Sequence, residues 1–418
     1  MKILLAVLFW LVVVLVLLVS LIPVIAAPFV TAVPGWLGAL LGAADVAVLV
    51  LALRAGLSHW GKGLTLAGGF LAVALAAVLL SQLLAHTPPI LGADGKPLPG
   101  SIATLERVEL NGSRQWVSIR GRDVNNPVLV FLSGGPGGSE IPSTRLHLAE
   151  LEEHFVVVNW DQPGAAKSFF AVPKRELTPQ RYIDDGRALV EQMRQRFDEE
   201  KVFLIGESWG TILGVWLVRD YPELFHAFIS SGQMVNTTED DVMGYELALR
   251  IVEERGDAAK LEQLRRNGPP PYTTGNLSLT YQSYLGVLTD YMSERAHGVG
   301  PGADADILTD ALREPEYGLA DKVNWLLGLM TVFNRVYPQI ADLDFVTQAA
   351  KLEVPIYFMV GRHDVNAMTS LVEAYYAALA APHKELIWFE ESGHPPLYSE
   401  AAKTVDVVVN RALANSGR

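Results

Sequence analysis

The chain of 418 residues contains no cysteine. That excludes disulfides, a thiol nucleophile and thiolate metal sites, so any covalent catalyst has to be a hydroxyl or another side chain. Redox chemistry therefore says nothing about compartment. Basic runs are missing as well: 33 Lys and Arg stand against 46 Asp and Glu, for a net charge of -13. Without a clustered basic surface a nucleic-acid partner is excluded. Charge of either sign is scarce, at 19% of residues, whereas 50% are apolar. That is more than a soluble enzyme usually needs, so part of the excess has to lie outside a water-facing fold.

The excess sits at the N-terminus. From Ile3 to Ala27 no residue is charged, which meets the requirement of roughly 20 apolar residues to cross a bilayer. A cleaved signal peptide is the alternative, with Lys2 ahead of the run and Ala26-Ala27 at its end. The length of the run and Pro28 after the candidate cleavage point favour a retained span. Two more apolar stretches, Val33 to Leu53 and Leu64 to Leu84, bring the expected count to three spans within residues 1–86. Asp45 is costly in lipid, so it either faces the other helices or marks a segment that is only partly inserted. Lys2 and the Arg54 to Lys62 loop belong on the cytoplasmic side by the positive-inside rule, which leaves everything after His86 outside the cytoplasm. The expected location is thus a cell membrane, multi-pass, with the bilayer itself as a partner.

Residues 87–102, rich in Gly and Pro, read as a linker. Beyond it, Leu105 to Leu110 and Gln115 to Arg120 alternate in the manner of a strand pair turned by Asn111-Gly112. Short continuous apolar runs then alternate with helical patterns: Pro127 to Leu132, Phe155 to Trp160, Val202 to Ile205, Phe225 to Ser230, Val354 to Val360 and Glu385 to Phe389. Such runs predict an α/β fold with a mostly parallel sheet covered by helices on both faces. The rhythm breaks once, between about Met234 and Lys351, where the pattern is helical. Core segments 103–233 and 352–418 therefore flank a helical lid over 234–351, which would shape the substrate pocket and exclude water.

Chemistry concentrates in the loops that follow these strands. Gly206-Glu207-Ser208-Trp209-Gly210 fits the G-x-S-x-G elbow, with an apolar strand leading in and a helical pattern leading out. Its hydroxyl needs a base, and His394, in a Gly/Pro loop just past the last strand, can be swung over it. Asp364, after the strand Val354 to Val360, completes the order Ser, acid, His and can orient the imidazole. Ser133-Gly134-Gly135-Pro136-Gly137-Gly138 lacks the Lys-Ser/Thr pair of a nucleotide loop. It reads as an oxyanion loop, with Gly135 and Trp209 backbone N–H groups as donors, each worth roughly 3 to 4 kcal/mol. No metal and no organic cofactor is implied.

From about Ala103 onwards the chain resembles the prolyl aminopeptidase (proline iminopeptidase) branch of the α/β-hydrolases. The resemblance rests on Gly134-Gly135-Pro136-Gly137, Asp161-Gln162 with Gly164 and Ser168, the elbow around Ser208, Gly361-Arg362-His363-Asp364 and Ser392-Gly393-His394. Ser133 stands where the family usually has His, and Pro163 where it usually has Arg. The resemblance implies a serine peptidase that binds a free substrate amine with lid carboxylates, for which Glu246 is the candidate. Glu207 also resembles the Glu of serine carboxypeptidase elbows, which helps bind a substrate carboxylate. The expected activity is therefore aminopeptidase-like cleavage of short peptides through an acyl-enzyme. Rival readings are an esterase or lipase using the same triad on a small or lipid-like ester, a carboxypeptidase, and an inactive ligand-binding homologue.

Overall fold

The uncharged N-terminal stretch folds as one helix, α1 (Lys2–Val30), followed by α2 (Gly35–Arg54) and α3 (His59–Leu84). All three are long and apolar enough to cross a membrane. The computed structural model describes residues 2–298 and 305–417, so positions 299–304 of the expected lid lie outside the described residues. Contacts divide the chain into two units, and the first combines Met1–Pro88 with Leu308–Val323. Its apolar interior has one cluster around Val13, Ala52, Leu66 and Phe70 and another around Val24, Leu41 and Ala77. Asp45 is buried among the other helices of this unit, the first of the two placements expected for it.

Leu308–Val323 joins this unit through polar contacts at the end of α3. Ser81 Oγ accepts from the Leu319 N–H at 3.0 Å, and Gln82 Nε2 donates to Asp321 Oδ1 at 2.8 Å. The His86 N–H donates to the Pro315 carbonyl, and Thr87 Oγ1 to Glu316 Oε1, both at 3.2 Å. Lys322 turns its ammonium back onto the carbonyls of Ala311 and Glu314. Nothing in the periodicity of the expected lid singled out this segment.

The second unit, Pro89–Ile307 with Asn324–Arg418, is built on one eight-stranded sheet. Its strands are β1 (Ile102–Leu110), β2 (Ser113–Gly121), β3 (Val128–Leu132), β4 (Val156–Asp161), β5 (Val202–Glu207), β6 (Phe225–Ser231), β7 (Ile356–Gly361) and β8 (Lys384–Phe389). They lie in the order β1-β2-β4-β3-β5-β6-β7-β8. The hairpin β1–β2 and the pair β2–β4 are antiparallel, and every other pairing is parallel. Asn111 and Gly112 both take the positive φ that a tight hairpin turn requires. Strands β3, β4, β5 and β7 are buried throughout, as the continuous apolar runs demand.

Helix α4 (Pro179–Phe197) begins at a local cap: Thr178 Oγ1 accepts from the Arg181 N–H, and Pro179 takes the first position, where a missing N–H costs nothing. Helix α5 (Trp209–Asp220) runs behind the elbow with nearly all of its side chains buried. Between β6 and β7 come α6 (Thr237–Glu254), α7 (Ala258–Asn267), α8 (Leu277–Ser293), α9 (Ile307–Arg313) and α10 (Leu319–Val336). Helices α6, α7 and α8 share a small core of their own around Tyr245, Leu264, Tyr281 and Leu288. The last helix is α-helical over Ala401–Val405 and continues with π-type bonding over Asp406–Leu413.

Candidate active site

A parallel sheet delivers its strand ends to one edge, and three of those ends carry the expected triad. Ser208 follows β5, Asp364 lies just past β7, and His394 is in the loop after β8. Ser208 has φ 50° and ψ -115°, a backbone conformation few side chains adopt, and it caps the start of α5. The turn is held on both sides: the Ser208 N–H donates to the Ser231 carbonyl at 2.9 Å, and Thr211 Oγ1 donates to the Ser208 carbonyl at 2.6 Å. A side chain at Gly210 would overlap the Leu132 carbonyl, so the second elbow glycine is set by the approach of α5 to β3.

His394 Nε2 lies 2.9 Å from Ser208 Oγ, and its Nδ1 lies 3.0 Å from Asp364 Oδ2. A carboxylate can only accept, so Nδ1 carries the proton and Nε2 is free to accept from the hydroxyl. The other Asp364 oxygen accepts from the N–H groups of Asn366 and Ala367 at 2.8 and 3.0 Å, which fixes the carboxylate plane. The His394 loop is tied down in turn by Glu400, whose carboxylate accepts from the Glu391 N–H and the Ser392 hydroxyl. This arrangement can take a proton from Ser208 and return it to a leaving group.

The two expected oxyanion donors flank the elbow. Trp209 is the first residue of α5, where the N–H has no partner within the helix, and Gly135 stands at φ 130° in the loop after β3. Gln162 links the two regions: its Nε2 donates to the Ser133 carbonyl at 3.3 Å, and its Oε1 accepts from Trp209 Nε1 at 2.9 Å. Asp161 beside it accepts from the Ser139 hydroxyl and from the Lys167 N–H. The Asp-Gln pair thus fastens the Gly-rich loop to the elbow, a role that only the pairing of β3, β4 and β5 discloses.

Glu207 is buried against a second carboxyl, Glu140, which sequence reasoning missed. Glu140 accepts from the Gly134 N–H at 2.6 Å, from Tyr398 Oη at 2.6 Å and from Glu207. With three donors, Glu140 is the carboxylate of the pair. Burial and the adjacent Glu140 charge push the Glu207 carboxyl well above its ordinary range, so Glu207 holds the proton. Its Oε1 lies 3.8 Å from His394 Nε2, and a Cβ on Gly134 would collide with its Oε2. An acidic residue six positions past the first glycine of the loop was the only trace of this pair in the sequence.

The raised Glu207 pKa gives a signed prediction. Above the ordinary carboxyl range of about 4.3, native Glu207 still binds a proton that the unfolded chain has released. Its stabilisation is therefore complete below that range and is lost as pH rises through the native pKa. Glu140 and Asp240, also raised by burial, add the same sign, as does Asp241, pushed up to about 7. The thermal midpoint should fall between about pH 5 and about pH 8, and Glu207→Gln, which still donates to Glu140, should shrink that fall. Thermal scans on both proteins check this, and equal pH dependence would exclude the assignment of the proton to Glu207.

Glu246, the expected amine-binding carboxylate, lies on α6. It is exposed on the face of α6 opposite the buried Asp241, Gly244 and Ala248, and it makes no hydrogen bond or ion pair among the described residues. Helical periodicity turns Asp240 and Asp241 inward instead. Asp240 Oδ1 accepts from the Met368 N–H at 2.7 Å, just beyond the turn that holds Asp364. Burial, together with the charges of Asp241 and Asp364, drives Asp240 well above the usual carboxyl range. Asp241 accepts from the hydroxyls of Tyr284 and Tyr337, each at 2.9 Å.

Comparison with known proteins places this geometry. A family model described as "alpha/beta hydrolase fold" matches residues 127–267. The chain is 29% identical over 306 residues to the "Probable aminopeptidase YbaC" of Bacillus subtilis (strain 168), covering 73% of this chain and 94% of that protein. It is 23% identical over 274 residues to the "Probable proline iminopeptidase" of Leptolyngbya boryana, covering 65% of this chain and 82% of that one. The fold matches the crystal structure of the proline iminopeptidase of Mycobacterium smegmatis with a TM-score of 0.54 at 18% identity, over 75% of this chain and 99% of that one. With the sheet order and the strand-end loops, these similarities show an α/β-hydrolase fold, similar to that of proteins named aminopeptidase and proline iminopeptidase.

Proposed function

We propose that the protein is a membrane-anchored serine hydrolase that acts as an aminopeptidase on short peptides. The observation that carries this reading is the continuous chain Ser208 Oγ to His394 Nε2, 2.9 Å, and His394 Nδ1 to Asp364, 3.0 Å. As His394 takes its proton, Ser208 attacks the scissile carbonyl, and the oxygen, now negative, is met by the Gly135 and Trp209 N–H groups. His394 then protonates the departing amine, leaving an acyl-enzyme. A water activated by the same imidazole releases it.

The peptidase assignment is supported by the names of the relatives. Anchoring is supported by the three apolar helices, and an extracytoplasmic catalytic domain by the placement of Lys2, Arg54 and Lys62. The test is a rate comparison on the full-length protein with proline and alanine aminoacyl amides, their N-blocked counterparts and short-chain acyl esters. Free-amine amides should turn over fastest. Turnover confined to esters would replace the peptidase with an esterase, and equal rates on blocked and free amides would remove the aminopeptidase assignment.

A further inference from the structure

Glycine is the poorest ordinary helix former after proline, so one in the middle of a helix asks for a packing reason. Helix α10 carries such a residue, Gly328, in the part that belongs to the second unit. A Cβ there would come within 2.8 Å of two carbonyl oxygens, those of Gly137 and Gly164, and within 3.3 Å of Ala165 Cα. Gly137 lies in the loop after β3 that holds the expected oxyanion donor, and Gly164 in the loop after β4 that begins with Gln162. Both loops therefore meet the helix at one point. The contact is reciprocal, because a Cβ on Gly137 would run into the Gly328 carbonyl and Val332, and one on Gly164 into Val332. One turn earlier Trp325 Nε1 donates to the Ser139 carbonyl at 2.9 Å. Trp325, Gly328 and Val332, spaced by three and four, form one buried face of α10.

What happens at Gly137 reaches Gly135, because the loop is coiled tightly on itself. A Cβ on Gly135 would fall 2.5 and 2.6 Å from the Gly137 and Gly138 nitrogens, and one on Gly138 would fall 2.8 Å from the Gly134 carbonyl oxygen. Residues 134–138 thus shift together or not at all. The start of the loop is tied to the core: Glu140 accepts from the Gly134 N–H at 2.6 Å, and Gln162 donates to the Ser133 carbonyl at 3.3 Å. At its far end, Gly137 and the Ser139 carbonyl rest on α10. An oxyanion donor has to stand about 2.7 to 3.1 Å from the place where the charge develops, and a displacement of about 1 Å costs on the order of 100-fold in rate.

We propose that Gly328 and Trp325 of α10 are positioning residues that set the Gly135 N–H from the lid side. This inference rests on the serine hydrolase reading above. The lid then does more than roof the pocket, since one of the two oxyanion donors takes its place only with α10 seated against the loop. Gly328 allows the approach, and Trp325 fixes where along the helix the loop sits.

Gly328→Ala, Trp325→Phe and, on the exposed face of the same helix, Met330→Ala are made in the full-length protein. Each is assayed in detergent with an aminoacyl amide or acyl ester that the wild type turns over, and with an aminoacyl aldehyde as inhibitor. Ser208 Oγ adds to the aldehyde carbonyl, so the former carbonyl oxygen occupies the oxyanion position. Gly328→Ala should lower kcat about 100-fold and Trp325→Phe about 10-fold with KM unchanged, and the aldehyde inhibition constant should rise in step. Met330→Ala should alter none of these. Thermal scans report whether each variant folds, and Trp325→Phe with kcat within about twofold of wild type overturns the inference whether or not Gly328→Ala folds. A KM that rises at constant kcat would make α10 a wall of the substrate pocket, and a fall in kcat without weaker aldehyde inhibition would put the lesion away from the oxyanion. Either result also overturns it. Ser208→Ala separates the two levels: aldehyde binding that survives this change would remove the serine hydrolase reading itself, and the inference with it.

Discussion

Replacing Ser208 by Ala, or His394 by Ala, should lower kcat by about four to six orders of magnitude, and combining the two should cost little more than either alone. The reasoning is that the two groups act as one device. Without His394 the hydroxyl of Ser208 keeps its proton, and without Ser208 the imidazole has no nucleophile to serve. What survives is the stabilisation offered by the two backbone N–H groups and by substrate binding, which acts on a water molecule instead. Asp364→Asn keeps the shape of the site but offers an amide where a carboxylate accepted from Nδ1. It favours the wrong tautomer and should cost about four orders of magnitude. Steady-state rates at saturating substrate, with circular dichroism to verify folding, check all three. A Ser208→Ala or His394→Ala enzyme within about tenfold of wild type would show that the chemistry lies elsewhere.

The largest effect expected on stability lies far from that chemistry, at Asp185 of α4. Asp185 is fully buried and accepts three charged or polar donors: Asn111 Nδ2 at 2.8 Å, Gln115 Nε2 at 2.6 Å and Arg181 Nε at 2.7 Å. Arg181 also donates to the Ser113 hydroxyl and the Leu110 carbonyl, so both ends of the β1–β2 turn converge on one carboxylate. Gln115 passes the network on by accepting from Trp160 Nε1 at 2.8 Å. Asp185→Ala strips the partner from a largely buried guanidinium and from two amides, and should destabilise the hydrolase unit by about 3 to 5 kcal/mol. Denaturant unfolding in detergent, followed by tryptophan fluorescence, would measure it. Changing Arg181 to Met together with Asp185 to Leu should cost less than Asp185→Ala, because no charge is left unpaired. A loss below about 1 kcal/mol for Asp185→Ala would mean that the network carries little of the fold's stability.

These two sites differ in how far the sequence disclosed them. The triad was legible because the elbow, the acid and the base each sit at a strand end, and continuous apolar strands are the easiest elements to recognise. Thr178 and Pro179 mark the start of α4 by themselves, since a cap and a first-turn proline act locally. Asp185 was silent. Besides Arg181 one turn before it, its partners lie about 70 residues upstream in a hairpin whose register against α4 depends on packing rather than local preference. The same holds for Glu140, whose meaning arises only when the loop after β3 meets the elbow after β5 and the hydroxyl of Tyr398 near the C-terminus. Glu246 came from the resemblance rather than from any local signal. The family pattern called for a lid carboxylate, but the phase of α6 turns Asp240 and Asp241 inward and leaves Glu246 on the solvent side.

The membership of Leu308–Val323 in the N-terminal unit imposes an order on biosynthesis. The three apolar helices leave the ribosome first, whereas the segment that completes their polar end follows about 220 residues later. At roughly 5 to 20 residues per second, that is an interval of about 10 to 40 seconds. Throughout it, Ser81, Gln82, His86 and Thr87 have none of the partners that Leu319, Asp321, Pro315 and Glu316 will supply. The N-terminal unit therefore cannot finish folding until most of the enzyme has been made. A truncated chain released before residue 323 would carry an unfinished docking site at the end of its apolar helices, which a quality-control protease could use to tell an incomplete molecule from a finished one.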